Sequence, residues 1–301
     1  MSHPPSRLKA ILLALLITFI WSTSWIFIKI GLKNIPALTF AGLRYFIAFL
    51  CLLPFTLSRK YQTEIKQLKT ADWVNLVLLG VVIYTLAQGG QYLALAQLPT
   101  VSVNLIVNLT SIFVAFAGIF VLKERPTAIQ WIGVGLNLLG ILVYFYPGGF
   151  QNAEWLGLIF ALICLAANIG GSLMGRSVNR GNHISPLLVT VISMGVGSVL
   201  LLSVGIIFQG LPVISLTSWG IILLLAVVNT AFSFTVWNYT FQTLTAMESS
   251  LINSTMLVQV AILSCLFLGT KLDLKEMIGL VLAIFGVLIV QVNFSNSKMQ
   301  A

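Results

Sequence analysis

The sequence predicts an all-α integral membrane protein: ten transmembrane helices in two inverted five-helix repeats around a central cavity. Three observations predict it. Ten apolar windows of bilayer length succeed one another with short polar joints. The chain matches itself on a fixed shift that places Trp73 on Trp219 and Gly133 on Gly279. Each copy holds five crossings, and a head-to-tail copy of an odd number must insert upside down. The two copies are then related by an axis in the membrane plane, the plan of many carriers whose solute site lies at mid-membrane between the halves.

Composition sets the class. The chain of 301 residues is 58% hydrophobic and 8% charged, with a net charge of +9. Its mean hydropathy is +1.03. A soluble domain carries roughly 25% charged residues, so this chain cannot cover a water-facing surface. The basic excess lies in short gaps between apolar runs, where it reads as a topology signal rather than a nucleic-acid surface. Cys51, Cys164 and Cys265 lie in separate runs with no metal or redox spacing, and are expected as packed free thiols. No cofactor is expected. Arg7 and Lys9 precede an apolar run that continues past Trp25 without a small-residue cleavage pattern, so it is read as a retained first span.

Windows of about 20 residues match a bilayer core of ~30 Å. They fall at 8–31, 37–57, 72–96, 100–122, 127–146, 153–174, 184–208, 217–240, 246–269 and 275–293. Pro36, Pro126 and Pro212 mark span boundaries, and Pro147-Gly148-Gly149 ends span five. Thr245 and Glu248 read as a capping box opening span nine. The longest polar gap is Ser58 to Asp72, "SRKYQTEIKQLKTAD". The repeat also aligns Leu98 with Leu244, Leu105-Ile106 with Leu251-Ile252, Leu122 with Leu268 and Gly140 with Gly286. The halves are 1–147 and 151–294, with a short tail at 295–301. With the N-terminus inside, the cytoplasmic side holds Arg7, Lys9, Arg59, Lys60, Lys66, Lys69, Lys123, Arg125, Arg176, Arg180 and Lys298. The outside holds only Lys29, Lys33, Lys271 and Lys275, which supports two cytoplasmic termini.

In lipid, polar side chains mark faces that avoid lipid. On span one, Thr18, Trp21, Ser22, Trp25 and Lys29 fall in one sector. Span three has Tyr84, Gln88, Gln91 and Tyr92 on one face, and span four has Asn104, Asn108 and Ser111. Span six contributes Asn168 beside Gly170 and Gly171. Span eight has Asn229, Ser233, Trp237 and Thr240, and span nine has Ser250, Asn253 and Ser254. Stripes from both halves point to a polar, aromatic-lined cavity. Taken singly, each residue is as readily explained as hydrogen-bonding glue between helices. Spans five and ten each carry two glycines seven apart, the mark of close helix packing at the periphery or of a homodimer contact. Arg44 is the one charge well inside a span. It reads either as a clamp on carbonyls and aromatic groups or as an anchor for a solute carboxylate or phosphate. Lys29 reads as snorkelling to the outer interface, with solute binding as its alternative.

Several motifs carry a resemblance. "WSTSWIFIK" resembles the W-[GS]-x-x-x-x-x-x-K pattern in the first span of the EamA family of drug/metabolite transporters, through Trp21, Ser22 and Lys29. "LRYF" around Arg44 resembles its second-span arginine motif, and "LKERPT" its L-G-E-R motif, with Lys123 for glycine. Gly133 and Gly140 match its fifth-span glycines. Ser111 and Leu257 stand where the family often has proline, and the second half has "LGTK" in place of its glutamate motif. The resemblance implies export of small metabolites, amino acids or amphipathic compounds across a bacterial inner membrane. A multidrug exporter and a non-transporting sensor or scaffold are the alternatives. An enzyme is not expected: His3 and His183 lie in loops, and no acid lies mid-span. The absence of a mid-span titrating acid also points to a cycle that runs on the solute gradient.

Overall fold

The computed structural model describes residues 5–122, 128–145, 154–180, 184–244, 248–249, 252–253 and 255–297, and no strand occurs among them. The helices are α1 (Arg7–Gly31), α2 (Ala37–Leu52) and a short α3 (Arg59–Lys66). Then come α4 (Thr70–Gln97), α5 (Thr100–Leu122), α6 (Ala128–Phe145) and α7 (Glu154–Arg180). The series ends with α8 (Pro186–Gln209), α9 (Leu216–Thr240), α10 (Met256–Leu268) and α11 (Leu274–Ser297). Six of them, α1, α2, α4, α7, α8 and α9, are long and apolar enough to cross a bilayer. Thr100–Val114, Trp131–Tyr144 and Met256–Leu268 are shorter apolar stretches. The chain is a multi-pass membrane protein. Its exposed leucines, isoleucines and phenylalanines form the lipid-facing surface.

Prolines and polar caps set the ends. Pro36 precedes α2, Pro186 opens α8, and the Ser215 hydroxyl accepts from the Ser218 N–H at the start of α9. Gly210 (φ 73°) ends α8 and Gly269 (φ 63°) ends α10, both in a left-handed conformation that glycine tolerates. The capping box at Thr245 falls outside the described residues. Glu248 is described, and it pairs with Arg7 at 3.0 Å. The polar gap after α2 contains a helix, α3, where the sequence suggested only a joint.

Two long helices contain a π-helical stretch: Val81–Ala87 in α4 and Val227–Phe232 in α9. They occupy matching places in the two halves, since Val81-Val82 aligns with Val227-Val228 on the same shift that pairs Trp73 with Trp219. A π turn widens the helix and leaves carbonyls poorly paired. In α9, hydroxyls take them up: Thr230 donates to the Leu225 carbonyl and Ser233 to the Val228 carbonyl, both at 2.8 Å.

The core packing uses close helix approach. Gly80 and Gly197 bring α4 against α8, where an added Cβ would meet carbonyl oxygen at 2.3 Å from either side. α6 lies antiparallel on α11. Gly140 faces Gly279, Gly133 faces Gly286, and the Asn137 amide donates to the Ala283 carbonyl at 2.8 Å. These glycine faces meet within one chain, so they are not available to a second copy. Of the three cysteines, only Cys164 is packed; Cys51 and Cys265 are exposed on the lipid side.

A prediction follows from the glycine pair. A side chain at Gly286 would place its Cβ 2.3 Å from the Asn137 backbone nitrogen, whereas one at Gly135 meets nothing within 4 Å. Gly286→Leu should destabilise the purified protein by about 3 kcal/mol. Gly135→Leu should leave its melting temperature unchanged or raise it. Equal melting of both variants would refute this packing.

Candidate functional site

A cavity of about 130 Å³ lies where α1, α2, α4, α5, α7, α8 and α9 converge with Ser249, Asn253 and Met256. Cavities of about 150 Å³ hold a single benzene, so this one suits a small metabolite. Its walls are aromatic. The Trp21 ring lies 5.0 Å from Phe234 and 4.9 Å from Trp237. Tyr84 lies 5.1 Å from Phe234 and 5.6 Å from Tyr45. Among the described lining residues, Arg44 is the single formally charged side chain.

The residues of "WSTSWIFIK" have separate jobs. Trp21 and Trp25 line the cavity, and the Trp21 indole donates to the Asn229 carbonyl at 3.0 Å. Ser22 points elsewhere: its hydroxyl bonds the Thr18 carbonyl at 2.8 Å and the Gln259 side-chain oxygen at 2.6 Å, tying α1 to α10. The Thr23 hydroxyl bonds the Ile20 carbonyl and accepts from the Asn229 amide. Lys29 donates to the Leu95 and Leu98 carbonyls at 2.6 and 2.9 Å. It therefore caps the C-terminal end of α4 rather than snorkelling. A helix end leaves carbonyls unpaired, and a cation there also meets the favourable end of the dipole.

Arg44 is 2% exposed and held by three partners. Its Nε donates to the Thr230 hydroxyl at 2.6 Å, Nη1 to the Tyr92 hydroxyl at 3.1 Å and Nη2 to the Asn229 carbonyl at 3.3 Å. The guanidinium also lies 5.1 Å from the Tyr45 ring centroid. Two of the three acceptors belong to the π stretch of α9. The clamp reading of Arg44 therefore describes what it does in this structure. Arg44 is also part of the cavity wall.

Nine of the fifteen sequence-predicted residues line the cavity: Trp21, Trp25, Arg44, Tyr84, Gln88, Gln91, Asn168, Trp237 and Asn253. Five do not, and they bond within or between helices instead. Ser22 is placed above. Asn104 donates to the Met256 carbonyl at 3.2 Å, and Asn108 bonds Asn104. Asn229 donates to the Ile20 carbonyl at 2.6 Å, and Ser233 closes the π turn. All five are buried, since packed helices exclude lipid as well as a cavity does. The Ser111 side chain, like Ser250 and Ser254, lies outside the described residues. Sequence reasoning missed Tyr45, Phe234 and Asn238. Tyr45 directly follows Arg44, and Phe234 precedes Trp237 by three residues, so helical spacing was the available signal.

Contacts between helices flank the cavity on two sides. At the N-terminal end of α1, Ala10, Ala14 and Ile17 pack on Trp237, Phe241 and Leu244. Outside this cluster, Arg7 pairs with Glu248 and the Thr243 hydroxyl donates to the Pro5 carbonyl at 2.8 Å. Arg176 donates to the Phe241 carbonyl. At the other end, Phe40 meets Tyr92 edge-on at 5.2 Å below the Lys29 cap.

A polar, aromatic-walled cavity inside a multi-pass helix bundle is the arrangement of a membrane carrier. The chain belongs to the EamA-like transporter family, whose model matches twice, at residues 8–146 and 155–292. It is 24% identical over 300 residues to the "Uncharacterized transporter YoaV" of Bacillus subtilis (strain 168), covering 97% of this chain and 99% of that protein. It is 23% identical over 236 residues to the "Probable amino-acid metabolite efflux pump" of Escherichia coli (strain K12), covering 75% of each. A solved crystal structure shares the fold with a TM-score of 0.73 at 17% identity, covering 97% of this chain and all of that one.

The clamp gives a prediction. Arg44→Lys keeps the charge but cannot reach Thr230, Tyr92 and Asn229 together. It should lower stability by about 2–3 kcal/mol, while Thr230→Val costs about 1 kcal/mol. Thermal unfolding in detergent reads both. An Arg44→Lys variant that melts with the wild type would refute the clamp.

Proposed function

We propose that the protein is a secondary transporter exporting small metabolites, most simply amino acids or other small amphipathic compounds, across a bacterial inner membrane. The observation that carries this reading is the cavity: small, aromatic-walled, rich in side-chain amides, with Arg44 as its one formal charge. Aromatic faces take an apolar body, amides orient polar groups, and a guanidinium favours a carboxylate. A multidrug exporter for large cations fits less well, because a cavity of this size with a buried cation and no lining acid repels and excludes such a solute. The family and the efflux-pump name of the Escherichia coli relative support export.

The transport cycle is read as alternating access between two inverted five-helix halves of a ten-span bundle. The antiparallel α6–α11 pair supports inversion. Gly133 and Gly140 are equivalent in sequence to Gly279 and Gly286, yet each meets the other half's non-equivalent glycine. A two-fold axis across the helix pair gives that exchange. The two π stretches, at equivalent places beside the cavity, serve as hinges, since a widened turn bends at lower cost than α-helix. Both termini are cytoplasmic in this reading. A cysteine placed at Gln62 should react with impermeant reagents only from the cytoplasmic side.

Solute counterflow in proteoliposomes tests the reading. Trp21→Ala and Trp237→Ala should lower flux at least tenfold, and Asn253→Ala should raise the half-saturating solute concentration. Glu248→Gln, which loses the Arg7 ion pair, should leave solute accumulation unaffected by a pH gradient. Unchanged flux in both tryptophan variants, with intact folding, would return the cavity to plain packing. Accumulation driven by a pH gradient and abolished by Glu248→Gln would replace the gradient-driven cycle with a coupled one.

A further inference from the structure

We propose that α3 and the start of α4 form a binding site for an anionic phospholipid headgroup. The inward positions of α3 and its joint are Tyr61, Glu64, Ile65 and Leu68, at the spacing of one helical face. Tyr61, Ile65 and Leu68 pack on Leu76, Leu79, Val178, Ile184 and Leu188 of the bundle. Glu64 accepts from the Ser185 N–H, which pins the helix to the start of α8. The opposite face presents Arg59, Lys60 and Lys66, with Lys69 beyond it, all exposed.

The acids nearby have structural partners. Glu64 is turned inward, and Asp72 accepts from the Lys69 N–H at 2.9 Å as a helix cap. Arg59, Lys60 and Lys66 form no ion pair among the described residues. Apolar groups surround the cations on the bilayer side. Phe55 and Leu57 are each 64% exposed just before α3, and Trp73 is 40% exposed one turn after Lys69. An indole at this depth marks the headgroup level, with acyl chains on one side and phosphates on the other. The arrangement therefore offers an apolar floor for acyl chains and a fixed cationic rim for a phosphate. The equivalent joint of the second half, Gly210 to Ser215, carries no charge, so only one leaflet is addressed. Because α3 is docked by its apolar face, the cations are held in place rather than carried on a mobile loop.

Each basic side chain near an anionic surface is worth about fivefold in affinity. Arg59→Gln/Lys60→Gln/Lys66→Gln should therefore weaken phosphatidylglycerol binding on the order of a hundredfold. The readout is the rise in melting temperature when phosphatidylglycerol is titrated into purified protein in neutral detergent. Phosphatidylcholine and inorganic phosphate at equal concentration should give no rise. Lys271→Gln/Lys275→Gln, at the opposite ends of the spans, should respond as the wild type does. A photoactivatable phosphatidylglycerol should cross-link wild-type protein within residues 55–73, a result that needs no variant. An equal rise with inorganic phosphate, a triple variant that keeps the wild-type response, or cross-links spread over the lipid-facing surface would each overturn the site.

Discussion

Arg44 places a permanent charge at the centre of an apolar bundle, and much of the surrounding structure answers to that fact. A guanidinium out of water needs acceptors with good geometry. α-Helices offer few, because their carbonyls are already bonded. The π stretch of α9 supplies two of them, the Asn229 carbonyl and the Thr230 hydroxyl. Tyr92 of α4 supplies the third. One side chain thus joins α2 to helices of both halves, and its position fixes where Trp21, Tyr45 and Phe234 meet. The indole of Trp21 shares the Asn229 carbonyl with Arg44, so the aromatic wall and the clamp are one hydrogen-bonded unit.

The same rule explains the hydroxyls and amides that do not reach the cavity. Water is absent from the hydrocarbon layer, so each buried polar group must be satisfied by protein. Ser22 with Gln259, Asn104 with Met256, Asn137 with Ala283 and Asn238 with Thr190 are four such joints between helices. Glycines perform the complementary task. Where Gly80 meets Gly197, or Gly140 meets Gly279, backbones approach closely and dispersion replaces hydrogen bonding. The division leaves the cavity as the place where amides such as Gln91 and Asn253 line open space rather than a helix–helix seam.

Two solutions to one problem appear at the equivalent π stretches. In α9 the freed carbonyls are met by its own hydroxyls, at Leu225 and Val228, and by side chains from α1 and α2, at Asn229. In α4 the widened turn is held by backbone proximity: Thr85 donates to the Gly197 carbonyl at 2.9 Å, and the Gln88 N–H reaches back to Ile83. The halves share a distortion but not its chemistry. Their sequences differ here, with Tyr84 aligned on Thr230 and Gln91 on Trp237.

The sequence by itself determined the membrane class, the two-fold repetition and the helix faces that avoid lipid. Those follow from apolar length, from glycine and leucine matches at a fixed shift, and from the periodicity of Trp21, Trp25, Gln88 and Trp237, all of which are properties of single helices. It also marked Arg44, since a charge in an apolar run is visible without coordinates. Tertiary structure decided which polar residues face space and which face a neighbouring helix, because helical phase places a side chain on an inward face but does not say what stands opposite. Ser22 and Trp21 are adjacent, yet one meets Gln259 and the other the cavity. The docked face of α3 and the cap that Lys29 places on α4 were hidden for the same reason: each depends on a partner 66 residues or more away.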